Sequence, residues 1–218
     1  MAEGKVMNTY GRFDVTFEKG CGSRLFDTDG REYIDFVSGV AVNCLGHSHP
    51  VIVNALAEQS SKLIHVSNYY WNTQHGKLAE KLCKYSDHEN VFFCNSGAEA
   101  NEGSLKVARK YGKRNGNADK NIIIYMNNSF HGRTLGSLSV TGQEKYQRDF
   151  MPLLGGTKCV TINDVEELKA AFSDNVCGMI IEPIQGEGGV NSASLEYLKT
   201  ARELCDKYDS LLIFDEVQ

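Results

Sequence analysis

An acidic side chain at the end of an apolar run is the first candidate for chemistry in this sequence. Leu211–Phe214 follows a stretch with helical spacing, which is typical of a buried parallel strand, and Asp215 comes directly after it. Ligands of open α/β sheets bind just beyond the carboxyl ends of such strands. A buried carboxylate is costly unless something cationic faces it, and a protonated pyridine nitrogen would serve. A structural salt bridge is the alternative.

A second candidate is the turn that follows the apolar run Val91–Cys94. Ser96, Gly97 and Ala98 lie where this run leads into a long helical stretch, and free N–H groups at a helix start favour a phosphate. Ser96 also stands three residues before Glu99, the spacing of a capping box, so an ordinary N-cap is the alternative. The sequence has neither G-x-G-x-x-G nor G-x-x-x-x-G-K-[ST], which disfavours a Rossmann dinucleotide site or a P-loop.

Aromatic, cationic and acidic residues on predicted loops form the third candidate group. Phe130 could cover one face of a flat ring, with Val217 on the other face, and Arg133 suits bidentate capture of a carboxylate. Taken alone, Phe130 fits a core position and Arg133 a solvated one. Glu182 and Glu187 bracket a glycine-rich loop and are candidate site acids, with the ordering of that loop as the alternative.

Strands that alternate with helices must position these residues. The predicted strands are Val91–Cys94, Ile122–Tyr125, Lys158–Ile162, Gly178–Glu182 and Leu211–Phe214. The predicted helices are Val51–Lys62, Gln74–Tyr85, residues 95 to about 114, Val165–Phe172 and Leu195–Tyr208. This alternation predicts a mostly parallel α/β sheet. A small antiparallel segment precedes it, because Phe13, Val15 and Phe17 alternate with polar neighbours and Asp27–Gly30 is a hairpin signal.

Composition narrows the classes of function. The chain has 218 residues, 41% apolar and 23% charged, with a net charge of −5 that is well mixed along the sequence. The sequence has no basic cluster that would indicate binding to nucleic acid or to a membrane surface. No apolar run is long enough to span a bilayer, and Met1–Tyr10 lacks the apolar region of a secretory signal. Seven scattered cysteines predict a reduced, cytoplasmic chain. His47 and His49 lack a third ligand nearby, so we expect no metal.

Six stretches, in the same order, resemble the class III (subgroup II, fold type I) pyridoxal-phosphate aminotransferases. They are Tyr33–Phe36, Gly46–Pro50, Asn95–Glu102, Phe130–Thr134, Glu182–Gly189 and Phe214–Gln218, and the resemblance covers nearly the whole chain. It implies the fold of that family's major domain, with helices on both faces of the sheet. It also implies an N-terminal segment of the small domain over residues 1–50 and a cofactor-binding large domain over residues 51–218. Pyridoxal 5'-phosphate would be the cofactor.

The resemblance implies a role for each matching position. Ser96, Gly97 and Ala98 would hold the cofactor phosphate, Phe130 and Val217 would sandwich its ring, Asp215 would pair with the ring nitrogen and Gln218 would bind the ring hydroxyl. Glu182 would support the cofactor. Arg133 would bind a substrate carboxylate, and Glu187 resembles the family's switch acid, which pairs with a second arginine when one of the two substrates is bound.

Substrate choice within the family depends on fewer residues. Ornithine δ-aminotransferases tend to have a tyrosine where this chain has Val40, which favours N2-acetyl-L-ornithine as amino donor and 2-oxoglutarate as acceptor, a step of arginine biosynthesis. Ornithine, succinylornithine and 4-aminobutyrate are alternative donors. We expect a homodimer at full length, and no nucleic-acid or membrane partner.

The sequence departs from the family's pattern because four features are missing. Three of them are the second carboxylate-binding arginine, the partner-supplied phosphate contact and the C-terminal small domain, and the fourth is a lysine. The family's Schiff-base lysine lies downstream of Asp215, and no lysine follows Lys207 here. A lysine amine anchors the cofactor and moves protons. We therefore expect an N-terminal portion of an aminotransferase that is inactive and weakly folded alone. A catalytically dead cofactor-binding or interaction module is the alternative.

Overall fold

A computed structural model describes residues 5–218. Residues 1–4 lie outside the described residues. They belong to Met1–Tyr10, which lacks the apolar region of a secretory signal, and to the predicted segment 1–50. The described chain divides into two units, one that ends at Glu89 and one that comprises Asn90–Gln218. None of the helices in residues 5–218 has the length and apolar character needed to cross a membrane.

The first unit contains the predicted antiparallel segment. Its strands are β1 (Phe17–Cys21), β2 (Arg24–Asp27) and β3 (Glu32–Ile34), which pair in that order. Asp27 closes the predicted turn between β2 and β3, because its Oδ1 accepts hydrogen bonds from the N–H groups of Asp29 and Arg31 at 3.0 and 2.8 Å. The predicted alternation begins too early, since Phe13 lies outside the ladder and is 94% exposed.

The described part of the first unit has three helices, of which the second and third were predicted and the first was not. They are α1 (Ser38–Ala41), α2 (Pro50–Ser60) and α3 (Thr73–Lys84). Pro50 stands at the start of α2, where its missing N–H has no cost. The single turn α1 is unusual, because Gly39 and Val40 both have positive φ, 63° and 62°, a region that a β-branched residue rarely adopts.

The second unit holds the parallel sheet. Its strands are β4 (Ile122–Met126), β5 (Thr157–Val160), β6 (Val176–Ile181), β7 (Ile184–Gln185), β8 (Asn191–Ser192) and β9 (Leu211–Phe214). Its helices are α4 (Gly97–Gly112), α5 (Leu135–Leu138), α6 (Glu144–Gln147), α7 (Val165–Ala171) and α8 (Leu195–Lys207). The sheet runs β5-β4-β6-β9 with every pair parallel, and β7 and β8 form a separate antiparallel hairpin.

Helices cover both faces of this sheet, as predicted. On one face, Leu168 of α7 and Tyr197 of α8 pack with Met179 and other inward residues of the strands. On the other face, Leu105 of α4 belongs to a cluster with Ile180 and further strand residues. All six residues of β6 are buried, which fits a central strand covered on both sides.

The predicted strand Val91–Cys94 is wrong. This segment joins no ladder among the described strands, and the side chain of Phe92 is 74% exposed. An apolar run becomes a strand only when a neighbouring strand accepts its hydrogen bonds, which the run itself does not reveal.

Candidate cofactor site

The order of the strands places a crevice between β4 and β6. The chain runs from β4 outward to β5, then returns to β6 on the other side of β4, so the strand order reverses there. Such a reversal opens a crevice at the carboxyl ends of the strands. A hydrogen bond spans it: the backbone N–H of Phe130, after β4, donates to Glu182 Oε2, after β6, at 3.0 Å.

The start of α4 faces the same region with free amides. Ser96 is the N-cap, and its hydroxyl oxygen accepts from the N–H of Glu99 at 3.2 Å, so the predicted cap is present. The amides of Gly97 and Ala98, in the first turn, have no intrahelical partner. A hydroxyl that accepts one bond keeps its own hydrogen to donate, so capping leaves Ser96 able to contact an anion.

Asp215 is buried and held by two side chains. Its Oδ2 accepts from Asn101 Nδ2 and from the Nδ1–H of His131, both at 2.8 Å. Its Oδ1 accepts from the backbone N–H of Val217 at 3.2 Å. Asn101 also donates to the backbone oxygen of His131 at 2.8 Å, so α4, the loop after β4 and the end of β9 are joined at one carboxylate.

These contacts keep Asp215 ionised. Burial acts to raise its pKa, but the hydrogen bonds from His131 and Asn101 outweigh burial, and the pKa lies below its ordinary value of 3.8. Glu182 behaves in the opposite way. Burial raises the pKa of Glu182, and the N–H of Phe130 lowers it only in part. Two buried acids near one crevice therefore differ in proton affinity, and Asp215 is the one that binds a proton less tightly.

Aromatic rings support the cationic residue of the loop. The ring of Phe130 meets that of Tyr146 edge to face, with centroids 5.8 Å apart. The guanidinium carbon of Arg133 lies 4.4 Å from the Tyr146 centroid and 5.7 Å from that of Phe130. Stacking of this kind orients a guanidinium while its N–H groups stay available to an anion.

A cavity of about 440 Å³ brings six of the predicted site residues together. They are Gly97, Ala98, Phe130, Arg133, Asp215 and Val217. Val217 packs closely on the helix start, because a Cβ added at Gly97 would lie 2.8 Å from Val217 Cγ2. A side chain at position 97 would therefore force Val217 to move away from the helix start.

Five predicted residues do not line that cavity. Ser96 is the N-cap of α4, and Glu182 accepts the hydrogen bond from the backbone N–H of Phe130. Glu187 is exposed in the turn between β7 and β8, and Gln218 packs near Gly186, whose added Cβ would lie 3.2 Å from Gln218 Cβ. Val40 belongs to the first unit, where it is 56% exposed.

Asn101 and His131, which hold Asp215 at this cavity, were not predicted as site residues. Both are nearly fully buried, and His131 Nε2 is a buried polar atom without a hydrogen-bond partner among the described residues. The spacing from Gly97 to Asn101 is one helical turn, which was the available signal that Asn101 faces the same side. For His131, the available signals were its position directly after Phe130 and its place within Phe130–Thr134, one of the stretches that carry the resemblance.

The described residues were also compared with the requirements of a metal site. No group of three or more His, Cys, Asp or Glu side chains with the arrangement of a metal site occurs among residues 5–218. His47 pairs instead with Asp35, at 2.7 Å between Nε2 and Oδ2.

Comparison with known proteins assigns the chain to a family. The model of the class-III aminotransferases matches residues 6–218, and the chain belongs to this family. It is 61% identical to the acetylornithine aminotransferase of Clostridium acetobutylicum over all 218 residues, which are 56% of that protein.

Solved structures agree with this assignment. The N-acetylornithine aminotransferase of Stenotrophomonas maltophilia is 43% identical, with a TM-score of 0.81 over 96% of this chain and 52% of that one. The ornithine aminotransferase of Toxoplasma gondii, described with partial occupancy of PLP at its active site, is 35% identical, with a TM-score of 0.91 over 99% of this chain and 51% of that one. The chain thus spans about half the length of the relatives it matches.

Proposed function

We propose that this chain forms the cofactor-binding part of a pyridoxal-phosphate-dependent aminotransferase that moves the δ-amino group of N2-acetyl-L-ornithine to 2-oxoglutarate. The observation that carries the proposal is Asp215, an ionised carboxylate held by Asn101 and His131 at the wall of the cavity. Membership of the class-III aminotransferases supports the reaction type.

The residues present fit this cofactor. The free amides of Gly97 and Ala98 at the start of α4 suit a phosphate dianion. The cavity between them and Asp215 is lined largely by apolar atoms and glycine, which suits a flat ring. His131 Nε2 is buried and has no hydrogen-bond partner among the described residues, so it can form a hydrogen bond with a bound group.

Each side chain then has a physical task. When bound, pyridoxal phosphate supplies an electron sink for a carbanion. Asp215 supplies a fixed negative charge that favours protonation of a ring nitrogen, and Asn101 and His131 hold that carboxylate in place. Ser96, Gly97 and Ala98 bind the phosphate, Phe130 and Val217 cover the ring faces, Gln218 binds the ring hydroxyl, and Glu182 fixes the Phe130 loop through the backbone N–H.

Substrate recognition is assigned to residues on loops. Arg133, oriented by Tyr146, binds a substrate carboxylate, and Glu187 acts as the switch acid. Val40 leaves room for the acetylated donor. The names of the Clostridium acetobutylicum and Stenotrophomonas maltophilia relatives support N-acetylornithine, whereas ornithine, succinylornithine and 4-aminobutyrate are the competing donors.

Transamination is proposed for the full-length protein and not for these 218 residues alone. Relatives are about twice as long, and the remaining portion would supply the lysine that holds the cofactor and the rest of the small domain, to which residues 1–50 contribute. Residues 51–218 belong to the large domain. We further propose a homodimer in the cytoplasm, where all seven cysteines, each free in the structure, would stay reduced.

A donor screen tests the function. The full-length protein is mixed with each of the four donors in turn, and cofactor absorbance is followed in single turnovers. We expect the largest kcat/KM with N-acetylornithine. A protein that binds the cofactor yet turns over none of the four would be the inert module instead.

A further inference from the structure

The hairpin that carries Glu187 is tied to the sheet by a buried amide. Gln185 has no exposed surface, although glutamine is usually found at the surface. Its Nε2 donates to the backbone oxygen of Asn127 at 2.7 Å, directly after β4. Its Oε1 accepts from Asn191 Nδ2 at 3.4 Å, across the hairpin. Both ends of a buried amide are thus satisfied.

The tip of the hairpin is held from a second side. Asn191 Nδ2 also donates to the backbone oxygen of Gly188 at 2.9 Å. Gly188 presses against the loop after β4, because an added Cβ would overlap the backbone oxygen of Asn128. The backbone around Glu187 is therefore fixed even though its side chain is exposed.

The anchor of Gln185 belongs to the loop that leads to Arg133. Asn127 and Asn128 are followed by Ser129, whose hydroxyl donates to the backbone oxygen of Val140 at 3.0 Å. Phe130 and Arg133 come next on the same loop. One buried side chain therefore joins the segment of the switch acid to the segment of the carboxylate-binding arginine.

We propose that Gln185 is a positioning residue that sets the place of Glu187 relative to the Arg133 loop, and so tunes the balance between the amino donor, which has one carboxylate, and the dicarboxylate acceptor. The inference rests on the proposed function. Packing alone would need only an apolar side chain here, whereas the amide adds two directional bonds.

The test replaces Gln185 by methionine, an unbranched side chain of similar size without hydrogen bonds. In the full-length holoenzyme we expect the single-turnover rate with N-acetylornithine to fall about tenfold, the size of coupling seen within one hydrogen-bonded network, and the rate with 2-oxoglutarate to change less than about twofold. Hydrogen exchange of the amides in residues 186–190 should also accelerate, a readout that needs no catalysis.

A matched control is Gln147→Met. Gln147 Nε2 donates to the backbone oxygen of Leu138 at 2.9 Å, so this change also removes an amide-to-carbonyl bond but leaves the hairpin intact. We expect it to shift neither the ratio of the two half-reactions nor the exchange of residues 186–190.

A double-mutant cycle separates positioning from a general structural role. In a Glu187→Gln background, Gln185→Met should add no further bias, since the group that it positions is gone. If Gln185→Met does not fold, Asn191→Ala, at an exposed position, removes the bonds to Gly188 and to Gln185 Oε1 but keeps the bond from Gln185 to Asn127, and it should give the same bias in smaller measure.

Equal slowing of both half-reactions by Gln185→Met, or full additivity with Glu187→Gln, would overturn the inference. If the unmodified enzyme turns over neither substrate, the proposed function fails and this inference falls with it. If the unmodified enzyme and Glu187→Gln behave as proposed while Gln185→Met shows no bias, only this inference fails.

Discussion

Asp215 stays charged while only 8% of its surface is exposed. Desolvation of a lone carboxylate favours the neutral form. Here Asn101 and His131 donate to the same oxygen, Oδ2, and this leaves Oδ1 with only the backbone N–H of Val217 at 3.2 Å. One oxygen is thus committed to the protein, and the other retains capacity for a ligand in the cavity.

The first prediction removes this charge. Asp215→Asn in the full-length protein should lower kcat by about 10²- to 10³-fold, the loss typical when one electrostatic group of an active site is removed. Asp209→Asn is the matched control, because Asp209 pairs with Arg114 at an exposed site. Steady-state kinetics with N-acetylornithine measure both variants. Equal activity of the two variants would contradict the role of Asp215.

The second prediction concerns the pH dependence set by His131. His131→Leu removes a hydrogen bond that lowers the pKa of Asp215, so that pKa should rise. The acidic limb of the kcat/KM profile should therefore move to higher pH. Stability follows the same sign: the contribution of Asp215 is complete above its ordinary pKa of 3.8 and is lost as pH falls through its lower folded-state pKa.

Acid titrations of activity and of the unfolding free energy measure this shift. The variant should unfold at a higher pH than the unmodified protein. His88→Leu, at an exposed histidine, serves as control and should leave both profiles in place. An unchanged acidic limb in His131→Leu would show that His131 does not tune Asp215.

At the scale of elements, two helices begin in the same way but face different surroundings. Ser96 caps α4 and Ser194 caps α8, each accepting from the N–H three residues ahead, at 3.2 and 3.1 Å. Only α4 points its first turn toward the cavity. The pair therefore separates the stability that a cap provides from any contribution to phosphate binding.

The third prediction uses this pair. Ser96→Ala and Ser194→Ala should each lower the unfolding free energy by about 1 kcal/mol, the usual value of an N-cap. Only Ser96→Ala should also weaken binding of pyridoxal phosphate. Urea unfolding and cofactor titration by absorbance provide the two measurements. Equal cofactor affinity in both variants would show that Ser96 caps the helix and does not bind the phosphate.

Local sequence patterns predicted the elements whose own apolar spacing or local hydrogen bonds identify them. The apolar run of β6 and the amphipathic spacing of α8 identify a buried strand and a helix without knowledge of their neighbours. Val91–Cys94 shows the limit, because its apolar residues indicate a strand while pairing depends on another segment. The turn at Asp27 was predictable, since its hydrogen bonds are local.

The candidate site was predictable only where residue types suggested chemistry. Asp215 and Gly97 were found because an acid and a glycine stand at element ends. Asn101 and His131 were not, since Asn101 lies 114 residues from Asp215 in the chain and only the fold brings their side chains together. Such pairs follow from topology, which a local pattern does not contain.

At the scale of the whole molecule, apolar side chains remain uncovered in both units. Helices α2 and α3 bury no residue, and Val51 and Leu56 of α2 are 66% and 67% exposed. In the second unit, α4 and the edge strand β9 line an apolar groove of about 790 Å³ together with Phe92. Exposed apolar surface of this extent indicates an interaction face or a tendency to associate.

The last prediction follows from these surfaces. The purified 218-residue chain should bind a hydrophobic dye, self-associate at micromolar concentration and show no transamination, because uncovered strands and helices favour association and no lysine follows Lys207. Joining it to the C-terminal remainder of the Clostridium acetobutylicum relative should restore a cooperative melt and activity. Dye fluorescence, light scattering and a transaminase assay compare the two. A monomeric, dye-free, sharply melting short chain would contradict the structural half of this prediction, and its transamination at an ordinary enzymatic rate would contradict the chemical half.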